Sequence, residues 1–421
     1  MNSCIKPKHG ICTLRAALQF TNSLPGSHSI LLDNGQYNIT LQGIDEDMSI
    51  SGDLDVYGIL NIIGQSEKGV IINGQAIDRV FHILKDGSAQ NSVLSLKNLT
   101  VANGLAQSNH TDAVNHLGSG ILVAPNQELR LENVTLKDHS DGSSILNQGM
   151  VLAHGVSFIN NESNMNSAVA AAVTNWFDHD ENDIIDAYME LSDCHFSNNL
   201  SNNASAITSS SFATFPQIAQ PVVVKLDRCT FTNNIGNQPS VISNMFNTDM
   251  YISNTTISHN QSNANSGPVI LNDGGSKIKI SNSSILNNHG TVIDVHGGFG
   301  RIWSANSIIE SDPNQNSALL LNSLGGNFFW RYSDINHIDL QKNDITQGDP
   351  LLDTITQLTI RQFAHVPLSG SPLLDTGVEI HCTSHDQINR FRPIDGNGDS
   401  KSKCDIGAIE QLRDLIFASD F

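Results

Sequence analysis

One short pattern recurs along the chain: an apolar residue, two further residues, then Asn. It is seen at Phe158 with Asn161, Phe196 with Asn199, Phe231 with Asn234, Ile257 with Asn260 and Ile285 with Asn288. Each copy follows a run of alternating apolar residues and precedes a short small-residue strand, such as Ser-Val-Ile-Ser at 240 to 243 or Thr-Val-Ile-Asp at 291 to 294. A unit of this kind buries its apolar face only by stacking on its neighbours, so it sets the architecture before any single residue is weighed.

The position two residues before that Phe or Ile is read as facing inward. It is held by Leu99, Val134, Val156, Cys194, Cys229, Thr255, Ser283 and Asn306, with successive separations of 35, 22, 38, 35, 26, 28 and 23 residues. A basal unit of 22 to 28 residues, enlarged three times by insertions, suits a coil of three short strands joined by turns. Helical repeats of that length need long stretches of 3.6-residue period, and the chain has almost none. The residue just before the inward position is often Asn or Asp (Asn98, Asn133, Asp193, Asn254, Asn282), as expected at a turn stabilised by amides stacked coil over coil. The pattern predicts an all-β solenoid, the right-handed parallel β-helix.

Composition agrees. With 421 residues, 39% hydrophobic, 15% charged and 32 Gly, the chain can bury a long core without several domains. Some eleven coils at roughly 4.8 Å each would build a rod about 50 Å long. Net charge is −20 with only 22 Lys plus Arg, and no basic cluster is visible, which excludes nucleic acid as a partner. It also disfavours a polyanionic glycan unless a divalent cation bridges the like charges, leaving a neutral glycan or a cell-surface protein. No apolar stretch approaches 18 residues, so no transmembrane segment is expected. No apolar leader follows Met1, so any secretory signal would already have been removed. The rod is expected to be a monomer.

Three parts are predicted: a cap at 1–24, coils at 25–347 and a second cap at 348–421. In the first, residues 13 to 20 form the one convincing helical stretch, with Leu14, Ala17 and Leu18 on one face and Thr13 as N-cap. Such a helix would plug the open apolar end of the rod. Cys4 with Cys12, and Cys382 with Cys404, are spaced to clip the two ends as disulfides, which implies an oxidising compartment. Cys194 and Cys229 hold the same repeat position on adjacent coils and read equally as a disulfide or as two buried thiols. Two insertions, about 162–187 and 202–222, fall on consecutive coils and are expected to form a wall beside the rod, with Trp176 and Phe177 as contact residues.

These residues resemble known families. The Phe-x-x-Asn copies followed by a small-small-Ile strand are similar to the repeats of chlamydial polymorphic outer-membrane adhesin passengers. Cys12-Thr13-Leu14-Arg15-Ala16-Ala17 resembles the Cys-Ser-Leu-Arg-Glu-Ala motif that opens many bacterial secreted β-helix proteins, with Ala16 in place of the usual Glu. The end resembles the same group: Gly370 to Gly377, Asp386-Gln387, Arg392-Pro393, and Cys404-Asp405-Ile406-Gly407-Ala408-Ile409-Glu410. The resemblance implies secretion or display on a bacterial surface and no defined reaction.

Two stretches suggest calcium. Asp395, Asn397 and Asp399 place oxygens at positions 1, 3 and 5 of an EF-hand-like loop, with Asp405 standing in for the missing terminal Glu; a solvated acidic turn is the alternative. Asp178, Asp180, Asn182 and Asp186 make a second, less regular set in the first insertion, where a solvated loop tip fits as well. For acid–base chemistry, Asp294 and His296 face outward if Ile293 and Val295 face inward, and Asp273 falls beside His296 on the preceding coil. Plain surface polarity beside Gly297-Gly298 is the competing reading. Asn247-Thr248-Asp249, Asn288-His289-Gly290 and Arg301-Ile302-Trp303 superficially match polygalacturonase motifs, but their spacing is irregular and a paired Asp-Asp is missing. The expected function is therefore adhesin-like binding of a glycan or host surface, with a polysaccharide lyase or glycoside hydrolase working in a groove as the alternative.

Overall fold

The computed structural model describes residues 12–44, 46–85, 91–106, 117–164, 170–178, 188–212, 221–237, 239–263, 267–295, 300–311, 321–332 and 338–412. The coils form a right-handed parallel β-helix with three faces. The first sheet has nine strands, from Leu54–Val56 through Ser143–Asn147 and Val173–Asp178 to Thr291–Val295. A strip of twenty strands makes the other two faces, bent lengthwise along its middle. Its near half, the second sheet, includes Ile59–Gly64, Tyr188–Ser192 and Arg301–Ala305; its far half, the third sheet, includes His195–Ser197, Thr230–Thr232 and Ile308–Glu310. Three strands, Val93–Ala102, Glu128–Lys137 and Met150–Ile159, run unbroken around the bend.

The bend explains the recurrent Asn and Asp. Asn98, Asn133, Asp193, Asn254 and Asn282 all have φ between 45° and 54°, the left-handed region that short amide and carboxylate side chains tolerate best among residues with a Cβ. Asn306, read from sequence as an inward position, is another member of this column, with φ 48°. Ser284 pairs with Ile308 and Ile285 with Ile309, so Ser307 is the inward residue and the phase shifts by one. Two apolar residues in succession, Ile308 and Ile309, had concealed the register.

The Phe-x-x-Asn signature divides into two stacks. Phe158, Phe196 and Phe231 pair in register, their rings parallel with centroids 4.5 Å apart. The Asn residues turn inward as a ladder in which each Nδ2 donates to the Oδ1 one coil on: Asn161 to Asn199 at 2.9 Å, Asn199 to Asn234 at 2.8 Å, Asn234 to Asn260 and Asn260 to Asn288 at 2.9 Å. Turn backbone groups that would otherwise be buried without partners are satisfied this way. His139 heads the ladder, its Nδ1 accepting from Gly104 N at 3.0 Å. Cys194 and Cys229 are buried free thiols, and burial together with the neighbouring Cys194 pushes Cys229 up.

At the N-terminal end, helix Leu14–Asn22 is capped by Thr13, whose Oγ1 accepts from Ala16 N at 3.2 Å. It buries Leu18. Arg15 donates to the carbonyls of Ser51, Gly52 and Asp53, fastening the helix to the first coil. The C-terminal segment, expected to fold back as the second cap, runs along the rod as a strap over the third sheet. Arg361 reaches Ser157, Phe363 N donates to Thr230, His365 meets Ser258, and Ala408 N donates to Ser284. Gln387 is buried between Thr230 and Thr256. Cys382 and Cys404 form a disulfide, and the ion pair of Arg392 with Glu410, at 2.9 Å, is fully enclosed within the strap. Cys4 lies outside the described residues.

The two insertions are less than they looked. Val173–Asp178 and Ile207–Phe212 are strands of the first sheet, paired with each other along their length. Trp176, expected at a contact surface, is half-buried against Leu117, Leu122 and Leu146. Among the described residues of these segments, Ala170, Ala171, Ala172, Val173, Ala204, Ala206 and Ile207 are buried scaffold.

Candidate functional site

Side chains alternate in and out along each strand, so every sheet has one outer face that could meet a ligand. On the first sheet the outward column runs Asp55, His82, Leu122, Leu146, Thr174, Thr208, Ser243, Leu271 and Asp294 in register. All but Asp294 are buried. The third sheet lies under the strap. Among the described residues, the second sheet is the face left open.

On that sheet Leu94, Leu96, Leu129, Leu131, Met189, Leu191, Ile278 and Ile280 point into the core. The alternate positions form columns in water. One column reads Asn61, Ser95, Arg130, Leu152, Glu190, Lys225, Tyr251, Lys279 and Trp303 from coil to coil. The next includes Lys97, Glu132, His154 and Ser192. Together the early coils line a groove of about 650 Å³, with Asn61, Ser95, Lys97, Arg130, Glu132, His154 and Glu190 among its walls.

Its polar groups are paired loosely. Lys97 Nζ lies 2.6 Å from Glu132, Arg130 Nε 2.5 Å from Glu128, and His154 Nδ1 3.1 Å from Ser192 Oγ and 3.3 Å from Asp193. Lys225 sits 5.3 Å above the ring of Tyr188 and 3.9 Å from Glu190. Exposed pairs of this kind are worth about 0–1 kcal/mol each, so a ligand can exchange them at little cost. Further along, Lys277 and Arg301 are register neighbours, and Lys279 and Trp303 are their counterparts in the next column. Tyr251 is 43% exposed, which leaves an aromatic surface beside these cations. In sequence the six cations lie between 97 and 301 and look dispersed; the coil register gathers them on one face.

The residues singled out from sequence fare differently. Asp294 faces outward opposite Leu271, and its Oδ1 accepts from Val295 N at 2.8 Å. Asp273 accepts from Gly274 N at 2.6 Å and so closes its own turn. His296 lies outside the described residues, as do Asp180, Asn182 and Asp186. Asp178 and Phe177 are strand positions whose side chains fall outside the description. In the terminal loop, Asp395 accepts from Gly398 N and Ser400 N, Asn397 from Asp399 N, and Asp399 from Lys401 N. Asp405 accepts from Asp375 N at 2.8 Å and Gln411 N at 2.7 Å, and its burial raises it to about 7.

A different set converges. Asp47, Asp55 and His82 bring their ligand atoms within 4.8 Å of one another at the N-terminal end of the first sheet. Burial raises Asp55 to about 7 and lowers His82. Sequence inspection missed this group because its members are spread over a loop and two coils; the signal available was an Asp and a His at matching places in the strands Leu54–Val56 and Phe81–Ile83.

No protein-family model and no curated protein matches this sequence. Among solved structures, the A-module of mannuronan C-5 epimerase AlgE6 from Azotobacter vinelandii is similar over 80% of this chain and 95% of that chain, at 11% identity and a TM-score of 0.35.

Proposed function

We propose that the protein binds an extended glycan along the outer face of the second sheet, as a secreted or surface-displayed, adhesin-like module. The observation that carries this reading is the open face itself: consecutive coils present donors, acceptors and aromatic rings in straight columns, beginning with the 650 Å³ groove and ending at Tyr251 and Trp303. Ring faces stack on sugars, while loosely paired Lys, Arg and Glu side chains hydrogen-bond hydroxyls or acidic substituents. The Cys382–Cys404 disulfide supports an oxidising, extracytoplasmic location. No helix among the described residues is long and apolar enough to cross a membrane.

A glycan array followed by calorimetry tests the proposal. Arg130→Ala, Tyr251→Ala and Trp303→Ala should each weaken binding roughly ten-fold, as truncation of aromatic and Arg anchors does. Undiminished binding by the triple variant would place the site elsewhere. Turnover is the second reading, favoured by Glu132, His154 and Glu190 sharing the groove. Release of reducing ends or of unsaturated products, abolished in Glu190→Gln or His154→Ala, would establish it.

A further inference from the structure

We propose that Asp47, Asp55 and His82 form a binding site for a divalent transition-metal ion, Zn²⁺ first. Asp55 and His82 are register partners on adjacent strands of the first sheet, and both point away from the core residues Leu54, Val56, Phe81 and Ile83. Asp47 approaches from the preceding loop, its carbonyl tied to Tyr57 Oη at 2.6 Å.

Three observations point to a cation between them. His82 Nδ1 lies 3.6 Å from Asp47 Oδ1 and 3.8 Å from Asp55 Oδ1. These separations are long for hydrogen bonds, yet they are close to the roughly 3.4 Å between ligands on a tetrahedral ion with bonds of about 2.0–2.1 Å. Asp55 is fully buried, and its Oδ1, the oxygen aimed at His82, has no hydrogen-bond partner, whereas its Oδ2 accepts from Ser49 N at 2.5 Å. An unpartnered buried carboxylate oxygen is costly unless a cation or donor meets it. The two nearby guanidinium groups hydrogen-bond or pair with other groups. Arg79 is held 3.0 Å from Asp53, and Arg15 donates to backbone carbonyls.

One imidazole and two carboxylates suit a borderline metal such as Zn²⁺ better than calcium. The Asp47 side chain is 64% exposed, so solvent reaches the ion position from its side. Three protein ligands with an open side leave room for water or an oxygen ligand on a bound molecule. The site lies on a different sheet from the groove, so its test is independent of glycan binding.

The full chain, stripped with chelator, is titrated with ZnCl₂ by calorimetry and with CoCl₂ by absorption spectroscopy. Saturation at a site lost in His82→Gln, and weakened at least about ten-fold in Asp47→Asn, is the expected result, with a visible cobalt band that disappears in the same variants. Asp47 is exposed and should be replaceable without unfolding the coil, so its variant decides the matter if His82→Gln fails to fold. Zinc and cobalt binding unchanged in Asp47→Asn, no cobalt band, or no binding at all would each overturn the proposal.

Discussion

Asn199→Ala tests what holds the coils in register. Asn199 is fully buried; its Oδ1 accepts from Asn161 N at 3.1 Å and Asn161 Nδ2 at 2.9 Å, and its Nδ2 donates to Phe158 O at 3.0 Å and Asn234 Oδ1 at 2.8 Å. Two of these partners have a second contact: Asn161 Nδ2 also reaches Leu136 O, and Asn234 Oδ1 also accepts from Asn199 N. The group left without a partner is therefore Asn161 N, because Phe158 O also lies in the parallel ladder between Met150–Ile159 and His195–Ser197. At about 1–3 kcal/mol for the buried group left without its partner and about 0.5–1.5 kcal/mol for the lost bond to Phe158 O, the variant should lose about 2–4 kcal/mol. Chemical denaturation followed by circular dichroism measures it, read at the first transition because stacked repeats need not unfold as one unit. Asn199→Asp keeps the acceptor but loses both donors at neutral pH, and it should recover in part at acid pH, where a protonated carboxyl regains one. A change below about 0.5 kcal/mol in Asn199→Ala, the range of an ordinary surface substitution, would refute the ladder's structural role.

Three further outcomes are expected. Burial lowers His139 from 6.5 to about 4, so the folded chain keeps it neutral while the unfolded chain protonates it below 6.5; this stability is present above pH 6.5 and is lost as pH falls toward 4, by about 3 kcal/mol. His139→Asn, which installs the residue found in later coils, should flatten the stability profile in that window, and an unchanged slope would count against the assignment. Arg392→Ala strands the buried Glu410 carboxylate and should cost about 3–5 kcal/mol, releasing the strap to protease before the coils unfold; simultaneous loss of strap and coils would contradict this. If the terminal loop takes calcium through Asp395, Asn397 and Asp399, saturating Ca²⁺ should raise Tm in the native chain and not in Asp395→Ala with Asp399→Ala. Equal Tm in Ca²⁺ and chelator would reduce the loop to its own hydrogen bonds.

The regular part of this molecule was legible from residue pattern. The repeat pattern placed Leu99, Val134, Val156, Cys194 and Cys229 inside, the Phe-x-x-Asn copies marked stacked positions, and Thr13 marked the helix start, because each rests on contacts within one coil or with its like on the next. Register was harder to read wherever coil length varied. Asn306 slipped by one, and strand Val173–Asp178 passed for loop, because insertions on either side hid the phase.

Local pattern by itself determined the solenoid, the sides its residues face, and the columns of Asn that its tight turns and buried ladder require. Tertiary structure alone decided which faces remain open, since the strap covers the third sheet through contacts as distant in sequence as Arg361 with Ser157. It also gathered Lys97, Arg130, Lys225, Lys277, Lys279 and Arg301 on one face, and Asp47, Asp55 and His82 at one point. The physical reason is the same in each case. Alternation along a strand dictates only inward or outward, whereas neighbours across coils depend on the summed lengths of every intervening loop, and no local interaction encodes that sum.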